Sequence, residues 1–425
     1  MRYRSNSSPR IAPGRARTAM HFTALMTVLL TAACGSSAAP STSSVPSQAA
    51  KASAVASASA VSPASTARPA ASAASASAGG APSAAAFQAQ WDQLVAAAKK
   101  EGTVTVAKAP SVLFRQRVLG AFQNEFGVTV NDQEGSDRAQ IAKMKQEKAA
   151  GVHSVDVFLD SCQNSATSAL PAGLYAPIKP ALILPDVNDP SKWVNGKPWY
   201  VDPNGATLIQ LARNLFYNLD INPTAVDASQ LKTAPDLVDP KWKGKIGAFD
   251  PSAPGPGTNA ADMILKTMGE PYFRQLYLGQ GVKLATEDRT IGDWLAHAAY
   301  PIGIGLAADE LVRQKQAGLK IDVLKMNSPF ATVMDSSSDT MGLMQDAPHP
   351  NAAKLFVNWM MTKPAMQLVS EVEGLAVTRA DVSYAKLSPD LVPQPGQTPF
   401  NACDWSWMNS QRPQLTTQVK KILGH

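Results

Sequence analysis

Residues 91–106 read WDQLVAAAKKEGTVTV. Trp91, Leu94, Val95 and Ala98 fall at i, i+3, i+4 and i+7, which is one apolar face of a helix. Gly102 ends that helix, and Thr103-Val104-Thr105-Val106 then reads as a β-branched strand. The unit repeats twice. Phe114, Val118, Ala121 and Phe122 share a face of a second helix that stops near Gly127, and Val128-Thr129-Val130 is the next strand. A third helix follows Gly135-Ser136-Asp137-Arg138 to about Ala150, with Val155–Leu159 as a third strand. Helices alternating with short β-branched strands predict an α/β module with a largely parallel sheet. In such sheets the ligand crevice lies outside the carboxyl ends of the strands. That selects three loops: Ala109-Pro110-Ser111, Ser136-Asp137-Arg138 and Ser161-Cys162-Gln163.

Upstream of this module the chain changes character. Arg2, Arg4, Arg10, Arg15 and Arg17 form a basic segment without an acid. From about Ala19 to Ala33 the chain is mostly apolar, roughly 15 residues where a membrane-spanning helix needs about 20. Small residues then precede Cys34. This is the order of a secretory signal, and it resembles a bacterial lipoprotein signal, with residues 1–33 removed and Cys34 lipidated. Thr31 stands where that pattern usually has Leu. Several acyl chains on one residue anchor stably. From residue 34 to 84 the chain is Ala, Ser, Pro, Thr and Gly with almost nothing to bury, which predicts a disordered tether with a reach of about 40 Å.

The formal charge of +6 belongs to this leader. Seven basic residues precede Ala85, five of them before Cys34, and without them the 39 basic residues fall just below the 33 acidic ones. With no basic stripe carrying interleaved aromatics, nucleic acid is excluded as a partner. Setting Cys34 aside leaves Cys162 and Cys403 as an even pair in a compartment that permits disulfides, with two separate buried thiols as the alternative.

The remainder, residues 85–425, is too long for one ordinary core and suits two lobes. Asn214–Asn218 reads as a strand, Gly255–Asn259 opens a helix through Met268, and Gly281–Thr286 is a further strand. Arg289-Thr290 stands at the start of a helix carrying Ile291, Trp294, Leu295 and Ala298. Tyr300–Gly305 is a buried strand, Asp309–Ala317 a helix, and near Asp322–Val333 the chain crosses back. Ala352, Leu355, Phe356, Trp359 and Met360 keep helical spacing throughout and are core.

Several stretches carry a family resemblance. They are Glu101-Gly102-Thr103-Val104, Glu147–Val157, Asp239-Pro240-Lys241-Trp242-Lys243-Gly244-Lys245-Ile246, Tyr300–Gly305 and Asp346–Phe356. In this order and spacing they resemble the extracytoplasmic solute-binding proteins of ABC importers, in the group that includes the ferric-iron binders. The resemblance runs from about residue 90 to 380 and leaves the tail unmatched. It implies a two-lobed, type II periplasmic-binding-protein-like α/β fold with a two-strand hinge and an interlobe cleft. Lobe 1 takes residues 85–208 plus 326–425, and lobe 2 takes 209–325. It also implies hinge closure on a small solute, docking on a membrane permease, and action as a monomer held to the membrane by its lipid. One departure bears on the ligand. The ferric binders carry adjacent tyrosines just beyond the strand matching Tyr300–Gly305, and here the chain reads Leu306-Ala307-Ala308-Asp309-Glu310.

Helix N-termini present unpaired N–H groups and partial positive charge. Ser136, Arg138, Thr258, Asn259, Arg289 and Thr290 stand at such starts, Ser161 lies in the loop after the third strand, and these seven are the expected ligand contacts. Guanidinium binds carboxylate or phosphate bidentately, so the expected solute is an anionic organic molecule. The structural alternatives are ion pairs for the arginines, with Glu134 or Asp137 for Arg138 and with Glu287 or Asp288 for Arg289, and plain helix caps for the rest. No histidines pair at metal-ligand spacing, and neither a nucleophile elbow, a Walker loop nor an H-E-x-x-H motif is present. The reading is therefore a binding protein without catalytic residues, cofactor or metal. A ferric-iron or other metal carrier is the alternative within the class. A ligand-binding sensor or adhesion lipoprotein without an importer is the alternative outside it.

Overall fold

A computed structural model of the chain describes residues 84–253, 255–335, 339–394, 397 and 399–425. The expected signal, Cys34 and the tether up to residue 83 lie outside the described residues. Among the described residues no helix is long and apolar enough to cross a membrane.

The first βα repeats form where the residue spacing places them. α1 (Ala84–Glu101) ends at Gly102, whose positive φ of 77° suits a residue without Cβ. β1 (Thr103–Lys108) follows, then a wide-turned segment, Phe114–Leu119, that runs into α2 (Gly120–Phe126). β2 (Thr129–Glu134), α3 (Asp137–Ala149) and β3 (Val157–Asp160) complete the series. Shorter pieces come next: α4 (Cys162–Asn164), β4 (Tyr175–Ala176), α5 (Pro185–Asn188), β5 (Trp199–Tyr200) and β6 (Leu208–Gln210). These strands, joined by a later one, β14 (Thr340–Met344), build a seven-stranded sheet in the order β2-β1-β3-β14-β6-β5, with β4 beside β14. Only β1, β2 and β3 are parallel, while β14 lies antiparallel to both β3 and β6. The expected parallel sheet is therefore mixed. β14 returns from the other lobe and enters from the opposite end, which no local pattern encodes.

β7 (Asn214–Tyr217) leaves this sheet and β8 (Leu219–Ile221) begins the second. β9 (Ile246–Phe249), α6 (Pro256–Arg274), β10 (Lys283–Ala285), α7 (Asp288–Ala296), β11 (Ile302–Ile304), α8 (Ala308–Gln316) and β12 (Asp322–Val323) follow. The second sheet is ordered β10-β9-β11-β8-β12. β13 (Thr332–Asp335) brings the chain back and pairs antiparallel with β7 along its whole length. β7 and β13 are thus the two strands passing between the lobes of an α/β fold.

α9 (Pro350–Met360) carries the core stripe: Phe122 meets Phe356 and Trp359 edge-on at 5.1 and 5.4 Å. The Trp359 indole donates to Glu125 Oε2 at 2.8 Å. Asp156 accepts from Thr105 N and His349 N, both at 2.7 Å, so one buried carboxylate ties β1 to the start of α9. Two helices beyond α9 were not read from the sequence. α10 (Lys363–Glu373) starts at Thr362, whose hydroxyl caps Ala365 N, and buries Ala365, Met366 and Val369. After β15 (Phe400–Asn401), which lies beside β13, α11 (Arg412–Leu423) lies along α6, with Thr416 donating to Asp262 and Gln418 to Glu270.

Candidate functional site

A cavity of about 530 Å³ opens where the lobes, the crossing strands and the tail meet. Lobe 1 contributes Arg138 from the first turn of α3 and Ser161, Cys162 and Gln163 from the end of β3. The crossing strands contribute Leu215, Phe216, Tyr217 and Asp335, and β8 contributes Asp220. Pro256, Asn259 and Met263 come from α6, with Gly305 and Leu306 from the exit of β11. The tail adds Ala402, Trp407 and Arg412.

Of the seven expected ligand residues, Arg138, Ser161 and Asn259 line this cavity. Arg138 and Asn259 are exposed. Among the described residues Arg138 makes no ion pair: Glu134 is taken by Arg115 at 2.9 Å, and Asp137 accepts from Ser161 N and Asn164 Nδ2. Ser161 caps α4 through its hydroxyl. Ser136, Thr258, Arg289 and Thr290 are not among the lining residues. The Thr258 hydroxyl turns back onto Ala253 O at 2.7 Å and Pro251 O at 3.2 Å, holding the loop before α6. Arg289 is exposed on α7, where its charge helps keep the Glu310 carboxyl below the usual range, behind the larger effect of Arg313.

Arg412 was not foreseen. Its side chain is 20% exposed, donates from Nη1 to Gln163 Oε1 at 2.7 Å, and places Nε 3.4 Å from Asp262 Oδ2. One guanidinium therefore joins the end of β3 in lobe 1 to α6 in lobe 2. Burial, the leading cause in each case, lowers the Arg412 pKa and raises the Asp262 carboxyl to about 6. Both partners are pushed toward neutrality, so their attraction does not recover what both lost in leaving water.

Cys162 and Cys403 are joined as a disulfide with Cα atoms 5.6 Å apart. Their sulfurs lie 3.5 and 3.4 Å from Asp335 Oδ1. These three residues have metal-ligand donor types within 4.8 Å of one another, but bonded sulfurs offer no thiolate. Tyr217 lines the cavity with its hydroxyl donating to Asp390 O at 3.0 Å.

The sequence profile of the family described as bacterial extracellular solute-binding protein matches residues 102–371. Among solved structures, the chain is similar to Trichodesmium IdiA (FutA) in complex with iron and citrate (18% identity, TM-score 0.56, 76% of this chain and 99% of that one). It is similar to the ferric binding protein of Campylobacter jejuni (15% identity, TM-score 0.53, 75% and 99%). It is also similar to the periplasmic binding protein AfuA of Actinobacillus pleuropneumoniae with fructose-6-phosphate bound (17% identity, TM-score 0.51, 76% and 99%). At such identities the structures speak for the shared two-lobed fold. The profile spans well over half of the chain and takes in both lobes, so this protein belongs to the family of bacterial extracellular solute-binding proteins.

Proposed function

We propose that the chain is the lipid-anchored solute-binding component of an ABC importer, closing its lobes on a small anionic organic solute and passing it to the permease. Lobe 1 is taken as residues 85–208 with 326–425 and lobe 2 as 209–325, hinged at β7 and β13, with two adjustments: β6 keeps Ile209 and Gln210 in the first sheet, and α11 packs on α6 of lobe 2. The observation carrying the choice of solute is Arg412, a largely buried guanidinium on the cavity wall that reaches Gln163 and Asp262. Arg138 on the same cavity supports it, since two guanidinium groups suit a carboxylate or a phosphate. AfuA, of the same fold, was solved with a sugar phosphate. A ferric-iron carrier is less well supported, because the one tyrosine among the lining residues has its hydroxyl engaged with a backbone carbonyl.

Calorimetric titration of the protein with organic carboxylates, phosphate esters and Fe(III) citrate tests this. Anion binding that weakens about 100-fold or more in Arg412→Gln, as expected for losing a buried charge-assisted contact, supports the proposal. Fe(III) binding with a visible charge-transfer band would replace it. The anchor is read in cells: the full chain sediments with membranes and Cys34→Ser does not, whereas an unchanged distribution removes Cys34 from that role.

A further inference from the structure

Asp220 is the middle residue of β8, and its neighbours Leu219 and Ile221 are both packed in the core. Side chains alternate across a strand, so Asp220 points away from that core. It is 1% exposed and lines the cavity that also holds Arg138 and Arg412. Among the described residues its Oδ2 has no hydrogen-bond partner. Val323, its strand neighbour on β12, lines the cavity too, as do the apolar Leu306 after β11 and Leu311 on α8. Asn218, two residues away, has committed its amide to Phe330 O at 2.7 Å. Gly303 opposite it on β11 has no side chain to offer.

A buried carboxyl oxygen left without a partner carries an uncompensated desolvation cost. No described side chain hydrogen-bonds to this oxygen, although the Lys315 charge acts on the carboxyl, and the residue borders a space large enough for a solute. We infer that Asp220 is a specificity residue that accepts a hydrogen bond from a hydroxyl or ammonium group of the solute, so that the cleft takes anions that also carry such a donor in preference to plain anions. The inference rests on the anion reading above and sharpens it to hydroxylated or aminated acids and phosphate esters. Burial, the leading cause, raises the Asp220 pKa, and the Lys315 charge works against it.

The test uses the full chain and matched probes: succinate against malate and aspartate, and propyl phosphate against glycerol 3-phosphate. In at least one set the donor-bearing member should bind about tenfold or more tighter, the difference one buried hydrogen bond makes. Asp220→Leu fills an apolar setting and should keep the melting temperature. It should also keep the affinity for the plain anion and lose the preference. Asp220→Asn should keep a preference for malate and lose one for aspartate. Equal affinity within both sets, or a preference retained in Asp220→Leu, overturns the inference and leaves the anion reading standing. Binding of none of the five overturns both.

Discussion

Cys162 and Cys403 stand 241 residues apart in the chain and are bonded to each other at the wall of the cleft. Cys162 opens the turn after β3 in lobe 1, whereas α11, nine residues beyond Cys403, lies on α6 in lobe 2. The tail is therefore a strap across both lobes, fastened covalently at one end and by packing and hydrogen bonds at the other.

Closing so long a loop removes much of the unfolded chain's freedom. In the entropy model the bridge contributes on the order of 5 kcal/mol, and measured bridges usually contribute 2–4. Cys162→Ser with Cys403→Ser should lower the urea midpoint by a corresponding amount and raise the proteolytic sensitivity of residues 400–425. Equal midpoints for the oxidised protein and the double variant would show that the bridge does not hold the strap.

Four buried carboxyls make stability depend on pH in an unusual direction. Burial is the first cause that raises Asp160, Asp220, Asp262 (to about 6) and Asp339 (to about 7). The folded chain holds these protons at pH values where the unfolded chain has released them. Their stabilisation is full below about pH 4 and is lost as pH rises through each folded pKa. Asp262 alone accounts for roughly 3 kcal/mol across that range. Glu147, Glu310, Glu371 and Asp381 are held low and act oppositely, losing their contribution as pH falls below about 4.5. Denaturation curves should therefore show more stability near pH 5 than near pH 7.5, with a shallower decline in Asp262→Asn. A chain more stable at pH 7.5 would contradict the burial of these groups.

The cleft wall at α6 depends on two glycines in contact. A Cβ on Gly257 would stand 2.2 Å from Phe249 O, and one on Gly305, at φ 73°, would stand 2.7 Å from Gly257 Cα. Backbone, not a movable side chain, blocks both. Gly257→Ala should cost about 1–3 kcal/mol and displace the turn carrying Pro256 and Asn259. Gly120→Ala, at helical φ −61° with only Arg115 O at 3.8 Å, should be neutral or stabilising. Thermal melts compare the two, and an unaltered melt for Gly257→Ala would mean the wall has room to move.

Much of lobe 1 was legible because its signals are local. Val104 and Val106 in β1, the Phe122 face and the α9 stripe each declare their burial within one or two turns of chain. The cleft was only half legible. Arg138, Ser161 and Asn259 line it because they stand at helix starts that border the crevice, but Thr258 shares that position and spends its hydroxyl on its own loop. Arg289 has the same sequence signature as Arg138, yet α7 carries it away from the cavity. Arg412 and Trp407 lay in a tail without any matching pattern. One signal pointed to them: if Cys162 follows a strand at the crevice and pairs with Cys403, residues near Cys403 are drawn there too.

Local spacing of apolar residues, glycines and helix starts was enough to establish an α/β chain, because those signals depend on contacts between residues a few positions apart. Chain length suited two lobes, and the class of molecule came from the resemblance carried by stretches such as Tyr300–Gly305 and Asp346–Phe356. Tertiary structure alone placed Arg412 across from Gln163 and Asp262, left Asp220 Oδ2 without a hydrogen-bond partner among the described residues, and turned β14 antiparallel. Those outcomes depend on which distant segments meet, and burial there changes charge states and hydrogen-bond demands that the same residues would not have in water.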